Sequence, residues 1–182
     1  METKIIKFSN KKVVLWILGG GILGVLGILF TIFPYKFTTI LVKNILLIRL
    51  IGIIAALFFG FVLITLIRKV LFDKNLGIII NEKGIFDNSS FVAVGLIKWE
   101  DIISIKKSNV GKTSFLLIDV KNPENYIKTS NKIKSNLLKA NYRSYGTPIS
   151  ISSNFINCDF DQLEEYILDG FKLHKTSYDS KY

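Results

Sequence analysis

One cysteine (Cys158) and one histidine (His174) serve the whole 182-residue chain. A lone cysteine excludes an intrachain disulfide, which agrees with a reducing, cytoplasmic setting for the C-terminal part. One residue of each type cannot build a Cys–His zinc cluster. Acidic residues are missing from two long stretches. Glu2 is the only acid among residues 1–72, against nine Lys/Arg, and no acid lies between Glu124 and Asp159. Charge of either sign is missing from Val13–Phe33 and from Leu50–Ile67.

Those two uncharged runs carry the first reading. A helix of that length rises ~30 Å, the thickness of a bilayer core. They predict transmembrane helices at 13–33 and 50–69, joined by a short external connection at 34–49, instead of a pair of buried core helices. A cleaved signal peptide fits poorly. The first run is longer than an ordinary h-region and leads into Pro34-Tyr35-Lys36-Phe37, with no small-x-small cleavage site.

The net charge of +10 follows the same division. Residues 1–72 carry +8 (nine bases, one acid), and residues 73–182 carry the remaining 15 bases and 13 acids. Basicity that flanks apolar spans is a topology signal before it is a nucleic-acid signal, so no nucleic-acid partner is expected. Lys4, Lys7, Lys11 and Lys12 precede the first run. Arg68, Lys69 and Lys74 follow the second, and only Lys36, Lys43 and Arg49 lie between. This bias places both termini in the cytoplasm, with residues 1–12 as a basic cytoplasmic leader. Arg49, at the outer end of the second span, can snorkel to the interface.

Within the spans, small residues recur at helical spacing. Gly20 and Gly24 lie in the first, and Gly52, Ala56 and Gly60 in the second. Such a stripe lets two backbones approach, either as a tight hairpin or as a contact between copies in a homo-oligomer.

After Asp73 the pattern turns to short strands and turns. Leu76–Ile80, Ile85–Asp87, Phe91–Trp99, Ile102–Lys107 and Thr113–Val120 read as a meander with turns at Asn81–Gly84, Asn88–Ser90, Glu100-Asp101 and Asn109–Lys112. Both faces of Phe91–Trp99 are largely apolar, which predicts a well-buried strand. A polar, basic insertion at about 122–144 reads as one or two helical pieces, with Pro123 and Glu124 at a helix start. Gly146–Ser153 and Asn154–Cys158 read as two further strands. Asp159–Phe171 reads as an amphipathic helix capped by Asp159, with Phe160, Leu163, Ile167 and Phe171 on one face.

Seven strands closed by a C-terminal helix outline a seven-stranded antiparallel barrel or sandwich with a helical insertion. Ile78–Ile105 (IIINEKGIFDNSSFVAVGLIKWEDIISI) resembles the first four strands of bacterial PH-like membrane proteins. Asn122–Tyr126 (NPENY) and Tyr145–Ser152 (YGTPISIS) resemble other recurring phrases of one subgroup. That subgroup has two N-terminal transmembrane helices and a C-terminal PH-like domain in the inner membrane. The resemblance implies a PH-like domain at 73–175 with a tail at 176–182, and it implies no activity.

The search for chemistry excludes more than it finds. Gly111-Lys112-Thr113 imitates the end of a P-loop, but Lys106 stands where the motif needs its first glycine. Cys158 and His174 fall at opposite ends of the last helix, which reads as a buried cysteine and an exposed tail histidine. The adjacent acids Glu100-Asp101 and Glu164-Glu165 point different ways. Neither catalytic residues, nor a metal site, nor a cofactor is expected. What remains is the acid-free stretch holding Lys128, Lys132, Lys134, Lys139 and Arg143. On a domain tethered to a membrane, this patch suits anionic lipid headgroups or an acidic protein, and it suits a plain solvated face equally well. Each base near an anionic leaflet is worth ~1 kcal/mol. The first hairpin loop, with Glu82 beside Lys83, lacks the basic cluster that phosphoinositide readers use. The function that follows is a non-enzymatic, membrane-tethered binding or scaffold module with a protein partner. The alternatives are an anionic-lipid or envelope-stress sensor, and a small accessory or immunity protein against a membrane-acting toxin.

Overall fold

The computed structural model describes residues 2–38, 43–72, 77–128 and 131–179. The chain divides into two compact units. One is residues 11–73, and the other joins residues 1–10 to residues 74–182.

The first unit is a pair of apolar helices, α1 (Asn10–Ile32) and α2 (Ile45–Phe72), with a 3-10 turn at Pro34–Phe37 after α1. Both are long and apolar enough to cross a membrane. Only 11% of the most apolar stretch of α1 and 6% of that of α2 is buried, so neither helix is enclosed by the described residues. Helices that are apolar all round and bare of protein suit an apolar solvent. Inside them, hydroxyls are satisfied locally: Thr31 Oγ1 donates to the Gly27 carbonyl at 2.9 Å, and Thr65 Oγ1 to that of Phe61 at 2.8 Å. Arg49 lies exposed near the start of α2.

The helices run antiparallel, since Gly20 faces Leu63, Gly24 faces Phe59 and Gly27 faces Ala56 and Gly52. The tightest approach is at Gly27. A Cβ there would sit 2.7 Å from the Ala56 nitrogen, and one at Gly52 would sit 2.7 Å from the Gly27 carbonyl oxygen. Of the small residues picked from spacing, Gly52 and Ala56 stand at this crossing and Gly20 and Gly24 flank it. Gly60 has nothing within 4 Å that a Cβ would meet. Gly27 escapes a four-residue spacing rule because it follows Gly24 by three.

The second unit is built on two antiparallel sheets. The first has the order β1 (Lys4–Lys7), β2 (Gly77–Asn81), β3 (Gly84–Asn88), β4 (Gly95–Lys98), and the second the order β5 (Ile102–Val110), β6 (Thr113–Val120), β7 (Ile149–Ile151). They do not close into a barrel. A 3-10 turn at Trp99–Asp101 redirects the chain from β4 into the second sheet, and a register shift between Ile102 and Ser104 interrupts the start of β5.

Seven strands are present among the described residues, but not the seven that periodicity suggests. The added one is β1, from the basic leader. Lys4 pairs with Ile80, Ile5 with Ile79, Ile6 with Ile78 and Lys7 with Gly77. On its other edge, the Ser9 amide donates to the Phe155 carbonyl at 2.7 Å and the Asn157 amide to the Lys7 carbonyl at 2.8 Å. The ring of Phe8 stacks on Phe155, and the Lys4 ammonium lies 4.1 Å from the Tyr166 ring centroid. The strand lost is Asn154–Cys158, which makes a single bridge, Phe8 to Ile156. The strand expected over Phe91–Trp99 shortens to four residues. Asp87 Oδ1 accepts from the Ser89 amide (2.9 Å) and hydroxyl (2.6 Å), and the Ala93 amide donates to the Ser90 carbonyl, so the chain turns before it extends.

The core follows the alternation. Ile78, Ile80, Ile85, Ile97, Leu116, Ile118, Ile149 and Ile151 point inward from the strands. Helix α5 (Phe160–Asp179) lays Leu163 and Ile167 on them, with Phe160 and Phe171 partly buried at the margin. Asp159 caps it, accepting from the Gln162 amide at 2.8 Å. Gly170 lets the helix pass Trp99, whose ring lies 2.8 Å from where a Cβ would be. The insertion forms α3 (Pro123–Lys128) and α4 (Lys132–Tyr145), the latter capped by Asn131 through the Lys134 amide.

Candidate functional site

The β1–β2 ladder gives the domain two distinguishable ends. At one end stand Lys7 and Gly77, and the connections to α1 and α2 both leave from there. Asn88 is opposite Gly77, and the turn 89–94 follows at the same end. At the other end stand Asn81, Gly84 and Lys98, and the chain then enters the Trp99 turn.

The insertion touches both ends: Tyr126 of α3 bonds Asp101 in the Trp99 turn, and the first turn of α4 reaches the 89–94 turn. The Lys134 ammonium donates to the Ala93 carbonyl, which ties the first turn of α4 to the 89–94 turn. Beneath that turn lies Asp87, 2% exposed. Lys134, one of the five basic residues singled out by sequence, therefore serves the fold. Leu138 is buried on the same side, and the Asn141 amide donates to Ser150 Oγ at 3.2 Å. The outer side of α4 carries Lys132, Lys139 and Arg143, all exposed, at spacings of seven and four residues. That spacing aligns them in one strip. Beside it runs a second strip with Ile133 (54% exposed) and Leu137 (43% exposed). Lys128, exposed on α3, makes a loose 3.8 Å pair with Glu124, a contact of little energetic weight at such exposure.

The opposite end holds a cleft of about 560 Å³ lined by Trp99, Glu100, Ile102, Lys121, Phe171, His174 and Lys175. Trp99 is its buried floor, fixed by donation from Nε1 to the Asn81 carbonyl at 2.7 Å. Phe171 lies 6.3 Å from it, and the imidazole of His174 stacks on it at 6.4 Å with 25° between planes. The Lys175 ammonium sits 4.7 Å from the Phe171 centroid. His174 is thus half-buried against an aromatic floor and is not a solvated tail residue. Phe171 and His174, three apart on a helix, were the available signal, but nothing in the sequence placed Trp99 beside them. Cys158 is partly buried against the core.

Between the two ends, a belt of polar contacts ties the layers. Tyr126 of α3 donates its hydroxyl to Asp101 at 2.9 Å. Burial, then that hydrogen bond, pushes the phenol well above its ordinary value. Asp119 accepts from Ser104 Oγ (2.6 Å) and from Lys106 (3.0 Å). Burial works against its ionisation, but these two donors outweigh it and hold the carboxyl below its usual value. Lys107 bridges Glu164 (3.1 Å) and Asp161 (3.3 Å), fastening the start of α5 to β5. Its ammonium is raised above its ordinary value by the hydrogen bond to Glu164 and then by that to Asp161. Among the described residues, no three His, Cys, Asp or Glu side chains gather in a metal-binding group.

No protein-family model matches this chain, and neither a curated protein nor a solved structure matches it significantly.

Proposed function

We propose that this chain is a membrane-anchored, non-enzymatic binding module. Its hairpin crosses a bacterial inner membrane twice and holds a PH-like domain at the cytoplasmic face, where the domain engages a protein partner. One observation carries the reading: Lys4–Lys7, ahead of the first apolar helix, is hydrogen-bonded to Gly77–Ile80, beyond the second. Two strands of one sheet must share one side of a membrane, so an even number of crossings separates them. The lysine bias favours the cytoplasmic side. Two antiparallel sheets followed by a C-terminal helix support the PH-like outline.

The Trp99 cleft suits the partner. It opens at the end of the ladder away from the connections to α1 and α2. An aromatic floor flanked by two lysines against one glutamate favours an acidic segment carrying an apolar side chain.

Single-cysteine variants in a Cys158→Ser background test the topology. An impermeant maleimide on intact cells is expected to label Tyr35→Cys, and to label Lys4→Cys and Lys83→Cys only after permeabilisation. Lys4→Cys and Lys83→Cys on opposite sides would refute the reading. A photocrosslinker at Lys121 is expected to give one discrete adduct in cells, and one at Lys112 none.

A further inference from the structure

The register of the first sheet sets four apolar side chains in one line. Ile5 pairs with Ile79, Ile79 with Phe86 and Phe86 with Leu96. Their strand neighbours Ile6, Ile78, Ile80, Ile85 and Ile97 are buried, so by alternation these four point away from the core. Ile5 is 63% exposed and Leu96 41%, and the half-buried Ile79 and Phe86 lie between them. The line crosses all four strands, about 14 Å at ordinary strand spacing. It is one side chain wide. On one side of it the outward positions are Lys7, Gly77 and Asn88, and on the other Asn81, Gly84 and Lys98. Gly77 and Gly84 carry no side chain, so Ile79 and Phe86 form a ridge with low ground beside it. The outward strand positions include lysines and no acid; Glu100, which pairs with Lys98 at 3.2 Å, lies beyond the strand.

This shape selects among occupants. An extended strand gains affinity from main-chain hydrogen bonds at a sheet edge, and the main chain beneath this row is already committed to the ladders. A bilayer is a broad apolar surface and would bury Asn81 and Asn88 along with the row. A second copy set face to face brings lysine against lysine with no acid in the face to answer it. The strip is also far smaller than the ~800 Å² per partner of a stable dimer. A helix satisfies its own main chain, is narrow, and repeats apolar side chains every ~5 Å along one side, close to the spacing of the strands.

We propose that the outer face of the first sheet receives an amphipathic helix of a partner protein, with one apolar ridge between acidic flanks. About ten helical residues span the row. The partner's ridge lies on Ile5, Ile79, Phe86 and Leu96, and its acids meet Lys7 and Lys98. A footprint this small makes the contact reversible. The surface shares no residue with the Trp99 cleft and stands whether or not that cleft takes a ligand.

The test uses the full chain in phosphatidylcholine nanodiscs and three stapled helical peptides of equal length, each with a benzophenone. The first carries a leucine ridge between glutamates, and the second the same ridge between lysines. The third keeps the glutamates and spreads the leucines around the helix. After irradiation, adducts are mapped by mass spectrometry. Saturable adducts of the first peptide on the outer face of β1–β4 are expected, about tenfold above the other two and weakened by salt. Ile5→Ser with Leu96→Ser abolishes them, and Ile103→Ser with Val110→Ser, exposed on β5, preserves them. Lys7→Glu with Lys98→Glu transfers the preference to the lysine peptide, a result that misfolding does not produce. Equal adducts from all three peptides, adducts confined to the Trp99 cleft, or no saturable adduct overturns the proposal. So does labelling of the row by a diazirine lipid, or by a second copy of the chain, in place of the peptide.

Discussion

The hairpin and the β domain are both rich in isoleucine and leucine, yet they use these residues in opposite ways. In α1 and α2 nearly every apolar side chain faces outward, and the two helices meet through backbone at Gly27, Gly52 and Ala56. In the domain the inward isoleucines of the strands, such as Ile78, Ile80, Ile85, Ile97, Ile118, Ile149 and Ile151, are almost wholly buried. One region leaves its apolar side chains bare of protein, and the other packs them into a core. The difference shows why composition identifies the hairpin at once, while the domain must be read from alternation. It also shows why the boundary between them does not fall where the charge pattern puts it. Four residues of the basic leader belong to the domain, joined to it by hydrogen bonds and not by sequence neighbourhood.

The comparison is broken most severely by removing β1. Deleting residues 2–8, or placing Asp at Ile6, exposes the edge of β2 and the partners of a 5%-exposed core side chain. Loss of cooperative domain folding is expected, measured as rapid proteolysis in detergent while α1 and α2 remain helical. The converse variant replaces residues 11–76 by a short Gly/Ser turn. Because Lys7 and Gly77 are antiparallel neighbours, the turn closes a hairpin, and a soluble folded domain is expected.

Next in size is Trp99→Ala. It removes the cleft floor, the Asn81 hydrogen bond and the surface against which Gly170 packs. A loss of about 3–5 kcal/mol is expected from denaturant titration of that hairpin-free domain. Gly27→Leu, made in the full chain, should leave the domain's unfolding midpoint unchanged and loosen the hairpin. A cysteine pair at Gly24 and Phe59 should then cross-link more slowly.

Smaller effects come from the polar belt. Tyr126→Phe removes one partly buried hydrogen bond to Asp101 and is expected to cost about 1 kcal/mol. Its pH signature is more specific. The folded-state value for Tyr126 lies above its ordinary 10.0, so its stabilising contribution is complete below pH 10.0 and declines as pH rises through the folded value. Asp119 is the mirror case. Its folded value lies below 3.8, so its contribution is present above pH 3.8 and is lost as pH falls through the folded value. Tyr126→Phe should flatten the alkaline limb of a stability profile, and Asp119→Asn the acid limb.

Much of this fold was legible in the sequence. Two uncharged runs predict α1 and α2, and turn residues between apolar runs predict β2, β3, β5 and β6. Asp159 marks the start of α5. What was hidden depends on contacts between residues far apart. Ile5-Ile6 is too short to signal a strand, and its partner lies some seventy residues away. Phe91–Val94 has strand composition, but Asp87 and Ser89 bend it into a turn. Of the basic patch, Lys132, Lys139 and Arg143 stand exposed together, and Lys134 is taken by the Ala93 carbonyl. The Trp99 cleft joins residues from the end of β4, the end of β6 and α5, a conjunction that no local pattern encodes.

The central claim is that the strand before the first apolar helix completes the sheet after the second. Ile5 and Ile79 are register partners on the outer face of that sheet. Cysteines at both positions, in a Cys158→Ser background, would be oxidised in native membranes. Rapid disulfide formation between them, absent from a pair at Ile5 and Val110, is the predicted result. No cross-link, with Ile5→Cys open to impermeant reagent from outside the cell, would contradict the account.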